Sequence, residues 1–183
     1  MTERKALFTD RLTLEPTGPD HADGLIAAKE RSIEELRPWL AWAGDEDPNS
    51  IRAFVHACQQ EWDVSEWTFT ILLDGEVIGA VGVNRFDPMV STANLGYWLR
   101  TDVAGRGLMT EAAAAVVEFA FGELALHRLE LTAAPDNAAS VRVAEKLGFK
   151  RGGTLRDGSR GSEGWHDVLV FDLLEHDPRP TGA

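Results

Sequence analysis

The sequence predicts a single mixed α/β domain in which antiparallel strands come first and strand–helix–strand units follow. The first observation is Asp74-Gly75, a strong two-residue turn signal between two segments with strand composition. The second is a strand-like segment at residues 94–100 that runs through Gly105 and Gly107 into an alanine-rich helix. The third is size, because 183 residues of which 44% are hydrophobic suffice for one well-buried domain.

The first part of the chain is predicted to supply one strand and three helices. Apolar residues alternate in the strand and recur at helical spacing in the helices, and Gly18-Pro19-Asp20 marks the start of the first helix. The elements are a strand at residues 7–14 and helices at residues 20–31, 32–42 and 50–62, with a loop at 44–49.

The rest of the chain is predicted to form a hairpin and then alternate strand with helix. The strands fall at residues 67–73, 77–85, 94–100, 128–134 and 165–174, and the helices at 111–121, starting near Leu108, and at 138–147, ended by Gly148. A turn is expected around residues 158–164. The domain should span residues 1–177, leaving residues 178–183 as a loose tail.

Net charge narrows the range of partners. The chain has a formal net charge of −12, with 17 acidic against 8 basic side chains up to residue 92 and 13 against 10 after it. Such a field disfavours nucleic acid and anionic membranes and attracts a cationic amine or basic peptide. A solvated acidic surface that maintains solubility is an equally good interpretation.

The sequence predicts a cytoplasmic location. The chain has no apolar run of 18 residues and its N-terminus lacks a signal-peptide core, so we expect a cytoplasmic protein.

The single cysteine, Cys58, cannot form an internal disulfide and offers no metal cluster. Its helical spacing from Ile51, Val55 and Trp62 predicts a small buried side chain rather than a reactive thiol.

The glycine turn at residues 105–110, here called the phosphate cradle, predicts an anion site. Gly105 and Gly107 can adopt positive φ, and the following helix adds unpaired N–H groups and a positive dipole end. A Walker P-loop is excluded because no lysine lies between Gly107 and Thr110. A dinucleotide fingerprint is disfavoured because Thr110 replaces its third glycine, although Glu130 has the ribose-binding spacing. An ordinary turn into a helix remains the alternative.

Four ordered blocks around the phosphate cradle resemble the GNAT superfamily of acyl-CoA-dependent N-acyltransferases, and most of all its RimJ/RimL-like branch. The blocks are G-Y-W-L (residues 96–99), G-R-G-L-M-T-E-A (105–112), F-G-E-L-A-L-H-R-L (121–129) and N-A-A-S-V-R-V-A-E-K-L-G-F (137–149). R-S-I-E-E-L-R-P-W-L-A-W upstream (31–42) and G-W-H-D downstream (164–167) resemble further signatures of the same branch. The resemblance implies a GNAT-type domain, with a mostly antiparallel mixed sheet splayed at its centre and flanked by helices. It also implies an enzyme that transfers an acetyl group from acetyl-CoA to an amine by direct attack.

The resemblance also implies roles for residues near the phosphate cradle. The backbone of Leu99 and Thr101 would pair with the pantetheine arm, and the Leu99 N–H would polarise the thioester carbonyl. Asn137 would hydrogen-bond the pantetheine, although an asparagine before a helix is also a favoured N-cap. The N–H groups that would hold the pyrophosphate belong to Gly105, Arg106, Gly107, Leu108, Met109 and Thr110, with charge added by the Arg106 side chain. Arg106 as a solvated cation and Thr110 as a helix cap are the alternatives.

The sequence departs from the family pattern at positions that affect mechanism. Ala104 and Met109 replace usual residues of the cradle signature, and Ala144 stands where many members of the superfamily have a tyrosine acid. Ser140, one helical turn before Ala144, is then the candidate acid, with a local backbone hydrogen bond as its alternative role. The only tyrosine, Tyr97, lies in the strand before the cradle.

The sequence identifies no general base. The candidates considered are Glu130, His166 and Asp167, of which the last two should face opposite sides of a strand. Ser159 stands about where RimL-type enzymes can have a glutamate.

The acceptor is predicted to bind between the early helices and the turn at residues 158–164. Trp39 and Trp42, with Glu34, Glu35 and Asp45 nearby, would suit a cationic chain end, although Trp42 fits a core position better. The expected acceptor is a peptide or protein N-terminus, as in ribosomal-protein acetyltransferases. A small amine, such as an antibiotic, polyamine or amino acid, and a non-catalytic acyl-CoA-binding module are the alternatives, and homodimerisation stays open.

Overall fold

Residues 3–179, which the computed structural model describes, form one eight-stranded sheet flanked by helices. The strands are β1 (Leu7–Phe8), β2 (Leu12–Pro16), β3 (Trp67–Leu73), β4 (Glu76–Asp87), β5 (Thr92–Leu99), β6 (Arg128–Ala133), β7 (Lys150–Gly161) and β8 (Gly164–Leu174). The helices are α1 (Ala22–Glu30), α2 (Ile33–Leu36), α3 (Pro48–Glu61), α4 (Leu108–Gly122) and α5 (Ala138–Lys146). Of the predicted tail, residues 180–183 lie outside the described residues.

The sheet opens at its centre, between β5 and β6. Its strand order is β1-β2-β3-β4-β5-β6-β8-β7, and all neighbouring strands are antiparallel except β5 and β6, which are parallel. These two strands share three register pairs, the last joining Asn94 to Glu130. Beyond it, residues 95–99 still pair with β4 and residues 131–133 with β8, but the two segments no longer pair with each other. The predicted mixed, mostly antiparallel sheet with a central splay is confirmed.

Helices cover both faces of the sheet. Successive strand residues point to opposite sides, so neighbouring residues of one strand pack against different helices. Ala80 and Trp98 pack with Leu25 and Val55 in a cluster formed with α1, α2 and α3. The next residue of β4, Val81, belongs to the larger cluster on the other face. That cluster includes most of the buried residues of α4, namely Leu108, Met109, Ala112, Ala113, Val116, Val117, Phe119 and Ala120. Packing of α4 against β4 and β5 fixes its N-terminus beside the open part of the sheet.

Two predicted elements in the first part of the chain are divided in the structure. The strand predicted at residues 7–14 is two antiparallel strands, β1 and β2, joined by a turn in which the Thr9 N–H donates to the Leu12 carbonyl at 3.0 Å. The helix predicted at residues 32–42 is the four-residue α2, followed by a 3-10 turn at Ala41–Gly44. Pro38 ends α2, because it has no N–H to donate the next helical hydrogen bond.

The sequence did not predict β7. This strand is the edge of the sheet and is mostly exposed, so it lacks the apolar alternation that identifies a half-buried strand. It also contains Gly152, Gly153 and Gly158, which weaken the strand signal, and its register with β8 shifts twice. The turn predicted over residues 158–164 is consequently the end of β7 and a tight connection to β8.

Cys58 has the buried position that its helical spacing predicted. Its side chain on α3 is fully buried, and burial raises the pKa of the thiol to about 12. The thiol therefore remains protonated at neutral pH and unreactive. Within residues 3–179, no helix is both long enough and apolar enough to cross a membrane.

We expect Ser32→Ala to lower the free energy of unfolding by about 1–3 kcal/mol. The buried Ser32 Oγ accepts a hydrogen bond from the Thr101 N–H at 2.9 Å, so the variant leaves this donor at the end of β5 without its partner. Urea unfolding measures the loss. Ser162→Ala, at an exposed serine between β7 and β8, should change stability by less than about 0.5 kcal/mol. Equal losses of unfolding free energy in the two variants would contradict a stabilising role for the hydrogen bond between Ser32 and Thr101.

Candidate active site

A cavity of about 560 Å³ lies where β5 and β6 diverge. It is lined by every residue for which the resemblance implied coenzyme binding or catalysis except Arg106, and by the acceptor candidate Trp39. These lining residues are Trp39, Leu99, Thr101, Gly105, Gly107, Leu108, Met109, Thr110, Asn137 and Ser140. The cavity also reaches Tyr97 on β5, Glu35 on α2, Arg142 and Lys146 on α5, and the β7–β8 hairpin.

The edge of β5 presents unpaired backbone groups to this cavity. The Arg100 N–H donates to the Ile78 carbonyl on β4 at 2.7 Å. Backbone groups alternate sides along a strand, so those of Tyr97 and Leu99 point away from β4, towards the gap. Since pairing with β6 has already ended at Asn94, this stretch of β5 can accept an extended ligand as an additional strand.

The backbone of Thr101, by contrast, is engaged within the protein. Its N–H donates to Ser32 Oγ, and its carbonyl accepts the Ala104 N–H at 3.1 Å. The Thr101 hydroxyl lies 3.2 Å from the same Ser32 oxygen. The pairing with a ligand that the resemblance implied for Thr101 would therefore have to replace these hydrogen bonds, whereas Leu99 has no such competition from β6.

The phosphate cradle has the geometry of an anion site. Gly105 and Gly107 have φ of +77° and +79°, in the left-handed region that favours glycine. Gly107 is the N-cap of α4 and has no side chain to cap it, so the first N–H groups of the helix are available at the cavity. Thr110 lies inside the first turn of α4 and is buried, so it is not the N-cap. Arg106 is exposed at the tip of the turn.

A clamp from the β1–β2 turn holds the phosphate cradle. The Glu111 carboxylate on α4 accepts hydrogen bonds from Thr9 Oγ1 at 2.6 Å, from Arg11 N at 2.9 Å and from Arg11 Nε at 2.7 Å. Arg11 Nη1 also donates to the Arg106 carbonyl at 3.0 Å. Desolvation opposes ionisation, but the hydrogen bonds from Thr9 and Arg11 outweigh it and lower the pKa of the Glu111 carboxyl.

Two hydroxyl groups meet where β5 faces α5. Asn137 is the N-cap of α5, and its Oδ1 accepts the Ser140 N–H at 3.1 Å, which confirms the predicted cap. Tyr97 Oη lies 3.0 Å from Ser140 Oγ. Burial raises the pKa of the Tyr97 phenol to about 12, against the opposing effect of the hydrogen bond with Ser140, so the phenol is protonated across the physiological range.

The position of Tyr97 in this site was not predicted from the sequence. Its spacing did indicate that position, because Tyr97 shares one face of the strand with Leu95 and Leu99, and the resemblance leaves the far edge of this strand open. The family tyrosine position, Ala144, is buried within α5 and bears no polar group. The one tyrosine of the chain therefore approaches the same helix from the neighbouring strand.

The opposite end of the cavity is formed by α2, its following loop and the β7–β8 hairpin. Trp39 is half-buried and lines the cavity beside Glu35. Glu34 forms an ion pair with Arg37 at 2.7 Å and does not line the cavity. Trp42, for which a core position was favoured, is 40% exposed and packs edge-on against Trp98, outside the cavity lining.

The hairpin tip is fastened to the loop after α2. The Ser162 N–H donates to the Arg37 carbonyl at 3.0 Å. Next to it, Gly161 approaches so closely that a Cβ atom would lie 1.9 Å from the Pro38 carbonyl oxygen, which requires glycine there. This contact joins the hairpin to the loop that carries Trp39.

Of the three general-base candidates, the structure brings one to the cavity. Glu130 forms an ion pair with Arg128 at 3.0 Å, and Asp167 Oδ1 accepts the Asp157 N–H at 3.0 Å on the far side of β8. His166 lines the cavity together with Ser159, its direct partner on β7.

These features define a class of protein, one that binds an extended, phosphate-bearing ligand along an open strand edge and presents acid–base groups beside it. The chain belongs to the GNAT acetyltransferase family, because the family model described as an acetyltransferase (GNAT) domain matches residues 11–150. The predicted family and its RimJ/RimL-like branch are confirmed.

Named relatives and a solved structure support the same assignment. YdaF of Bacillus subtilis, provisionally named a ribosomal N-acetyltransferase, is 28% identical over 92% of this chain and 93% of its own length. A ribosomal-protein-serine acetyltransferase of Escherichia coli is 30% identical over 56% of this chain and 58% of its own. RimJ of Mycobacterium smegmatis, solved in complex with a coenzyme A disulfide, is 25% identical, covers 89% of this chain and 81% of its own, and superimposes with a TM-score of 0.82. The chain is therefore an acetyl-CoA-dependent N-acetyltransferase.

Glu111→Gln should destabilise the protein at pH 7 by about 1–3 kcal/mol, because the ionised carboxylate accepts charge-assisted hydrogen bonds that an amide cannot match. A carboxyl whose folded-state pKa is lowered stabilises the fold above its unfolded pKa, ordinarily about 4.3, and loses that contribution as pH falls through the folded value. The stability difference between wild type and variant should consequently narrow from pH 7 towards pH 3. Urea unfolding at several pH values measures it, and a difference independent of pH would contradict this role.

Proposed function

We propose that this enzyme acetylates the α-amine of a protein or peptide N-terminus. The observation that carries the proposal is a single cavity that is lined by the phosphate cradle, Leu99 and Ser140 and also by Trp39 and Glu35. An amine entering at Trp39 can therefore approach a thioester held along β5. The acidic first half of the chain favours a cationic acceptor, and the relatives named for ribosomal proteins favour a polypeptide.

The residues of this chain fit acetyl-CoA. The N–H groups at Gly107, Leu108, Met109 and Thr110 would hold the pyrophosphate, with those of Gly105 and Arg106 completing the turn. The exposed Arg106 guanidinium would add charge, and Asn137 would contact the pantetheine with the side-chain NH₂ that its capping interaction leaves over. When bound, acetyl-CoA supplies an activated acetyl carbonyl that an amine can attack directly.

The Leu99 N–H would stabilise charge on the reacting carbonyl oxygen. It points into the gap between β5 and β6, where no neighbouring strand competes for it. A fixed donor of this kind is most effective where water is excluded, and loss of one typically costs about 2.7–4 kcal/mol of transition-state stabilisation.

Ser140 would donate a proton or hydrogen bond to the departing sulfur, and Tyr97 would orient it. If the Tyr97 O–H donates across the 3.0 Å contact, the Ser140 O–H is free to point into the cavity. The raised pKa of Tyr97 keeps this donor protonated. Because a thiol is a good leaving group, this assistance is modest compared with that needed by an amine leaving group.

We propose a cytoplasmic location, because relatives of this enzyme are named for ribosomal proteins. We also propose a domain boundary near residue 177.

Homodimerisation is not required for the proposed mechanism, because one chain supplies every group assigned above.

An acceptor panel tests the proposal. Thiol release from acetyl-CoA is followed with N-terminal peptides, the same peptides blocked at the α-amine but retaining a lysine, polyamines and aminoglycosides. We expect the free N-terminal peptides to react with the highest kcat/KM, and blocking to abolish the reaction. Preference for a polyamine or aminoglycoside would replace the peptide with a small amine as the acceptor.

The matched variants Gly107→Asn and Gly107→Asp test the phosphate cradle. Both residues have the same shape and both tolerate positive φ, but only aspartate places a negative charge at the N-terminus of α4. We expect Asp to weaken coenzyme A binding at least about tenfold more than Asn does, measured by thermal shift or calorimetry, because one unit charge at this range is worth more than 1.4 kcal/mol. Equal coenzyme A affinities in the two variants would contradict the proposal that the pyrophosphate binds at this turn.

Ser140→Ala and Tyr97→Phe test the hydroxyl pair. We expect Ser140→Ala to lower kcat about 10–100-fold and Tyr97→Phe by a smaller factor, since the phenol acts through the serine. Coenzyme A affinity should stay within about threefold, because neither side chain is assigned to binding. Ser162→Ala is the control, and a kcat unchanged by Ser140→Ala would contradict the acid role.

A further inference from the structure

We propose that His166 is the general base that removes the proton from the attacking amine. The proposal rests on the acetyl transfer and cavity described above, but not on which amine is the acceptor. It follows from where the β7–β8 hairpin places one side chain. Of the three general-base candidates taken from the sequence, only His166 lines the cavity.

Strand alternation directs His166 inwards. Val168, two residues further along β8, is buried and lines the same cavity, so both side chains lie on one face of the strand. Asp167 lies on the other face, where it accepts the Asp157 N–H. Pairing of β8 with β6 begins at Leu169, so His166 lies beyond the end of β6 and beside the opening of the sheet.

The surroundings of His166 suit a proton acceptor. It is partly exposed, so a proton can pass from it to solvent, and it faces Ser159 directly across β7. The other titratable or charged side chains that line the cavity are Glu35 on α2, Tyr97 on β5, and Arg142 and Lys146 on α5. Glu35 attracts the cationic amine towards this end of the cavity, and histidine is the side chain that ordinarily changes charge between pH 5 and 8.

The proton balance assigns acid and base to different elements. As the amine nitrogen bonds to the acetyl carbon, the carbon–sulfur bond breaks and sulfur retains the electron pair. Before attack, the ammonium gives one proton to a ring nitrogen of His166, which passes it to solvent. As the new bond forms, the nitrogen gives its second proton to His166, and the sulfur takes up the hydroxyl proton of Ser140. His166 then returns this proton to solvent and Ser140 recovers one from solvent, so the products are an amide, a thiol and one proton in solution, and no other reactant is needed.

The primary test is the pH dependence of kcat/KM for His166→Gln, measured with whichever amine of the panel wild type acetylates fastest. We expect a loss of about 100-fold or more at pH 7, with partial recovery at high pH, where the amine is already neutral. His56→Gln, at an exposed histidine on α3, should leave the profile unchanged. A kcat/KM for His166→Gln within threefold of wild type, or an unaltered profile, would overturn the proposal.

A second measurement distinguishes a base from a structural residue. In wild type, the pKa of His166 followed by NMR should match the acid limb of the kcat/KM profile, which reports groups of the free enzyme. Ser159→Glu places a carboxylate on the residue directly opposite His166, where cross-strand Cβ atoms are about 4.5–5.5 Å apart. This carboxylate should move both the NMR pKa and the acid limb of the kcat/KM profile to higher pH. If the NMR pKa shifts but the limb does not, His166 is not the base.

Rescue provides the third arm and remains informative if His166→Gln is less stable. In that background, Ser159→Glu should restore at least about tenfold of the lost kcat/KM by supplying a substitute base, whereas the isosteric Ser159→Gln should restore none. Coenzyme A binding by thermal shift should persist in all variants. Wild type that binds coenzyme A but acetylates no N-terminal peptide would refute the proposed acceptor alone. Equal activities of the two double variants would refute the role of His166.

Discussion

The early end of the pairing between β5 and β6 is the constraint on which the site depends. A parallel pair that stops after Asn94 leaves backbone donors and acceptors along β5 without partners, and such groups are costly unless water or a ligand satisfies them. The open edge persists because β5 is held from its other side. At its end, the buried Arg100 side chain binds Glu76 on β4 and Asp102, and the Arg100 N–H binds Ile78. The gap is thus a built feature of a rigid sheet.

In the proposed mode of binding, the two ends of the cavity recognise their ligands by different means. At the coenzyme end, the donors would be backbone N–H groups of Leu99 and the phosphate cradle, so their positions depend on chain conformation more than on side-chain identity. This explains how Met109 can replace a smaller usual residue, because its side chain is buried in the core while its N–H stays in the first turn of α4. At the acceptor end, recognition depends on side chains such as Glu35 and Trp39, each of which can change without altering the fold.

This difference also explains how much the sequence could predict. The left-handed conformation of Gly105 and Gly107 and the Asn137 cap are local features that depend on a few neighbouring residues, and the structure has both of them. The Tyr97–Ser140 contact joins residues 43 apart and required the relative placement of β5 and α5. The pairing of His166 with Ser159 depended on β7, an exposed, glycine-rich edge strand without the alternation that would reveal it.

In the proposed mechanism, acceptor recognition beside Trp39 and proton removal by His166 are mechanically linked. The β7–β8 tip that holds His166 and Ser159 is hydrogen-bonded through Ser162 to the Arg37 carbonyl, and Arg37 lies two residues before Trp39. A displacement of this loop therefore moves the hairpin with it, because Gly161 permits a contact with Pro38 that leaves no space between them. The acid pair stands on β5 and α5, which the core of the sheet and α4 hold in place. Changes in the acceptor end should thus alter the position of the base relative to a fixed acid, so that specificity and rate change together.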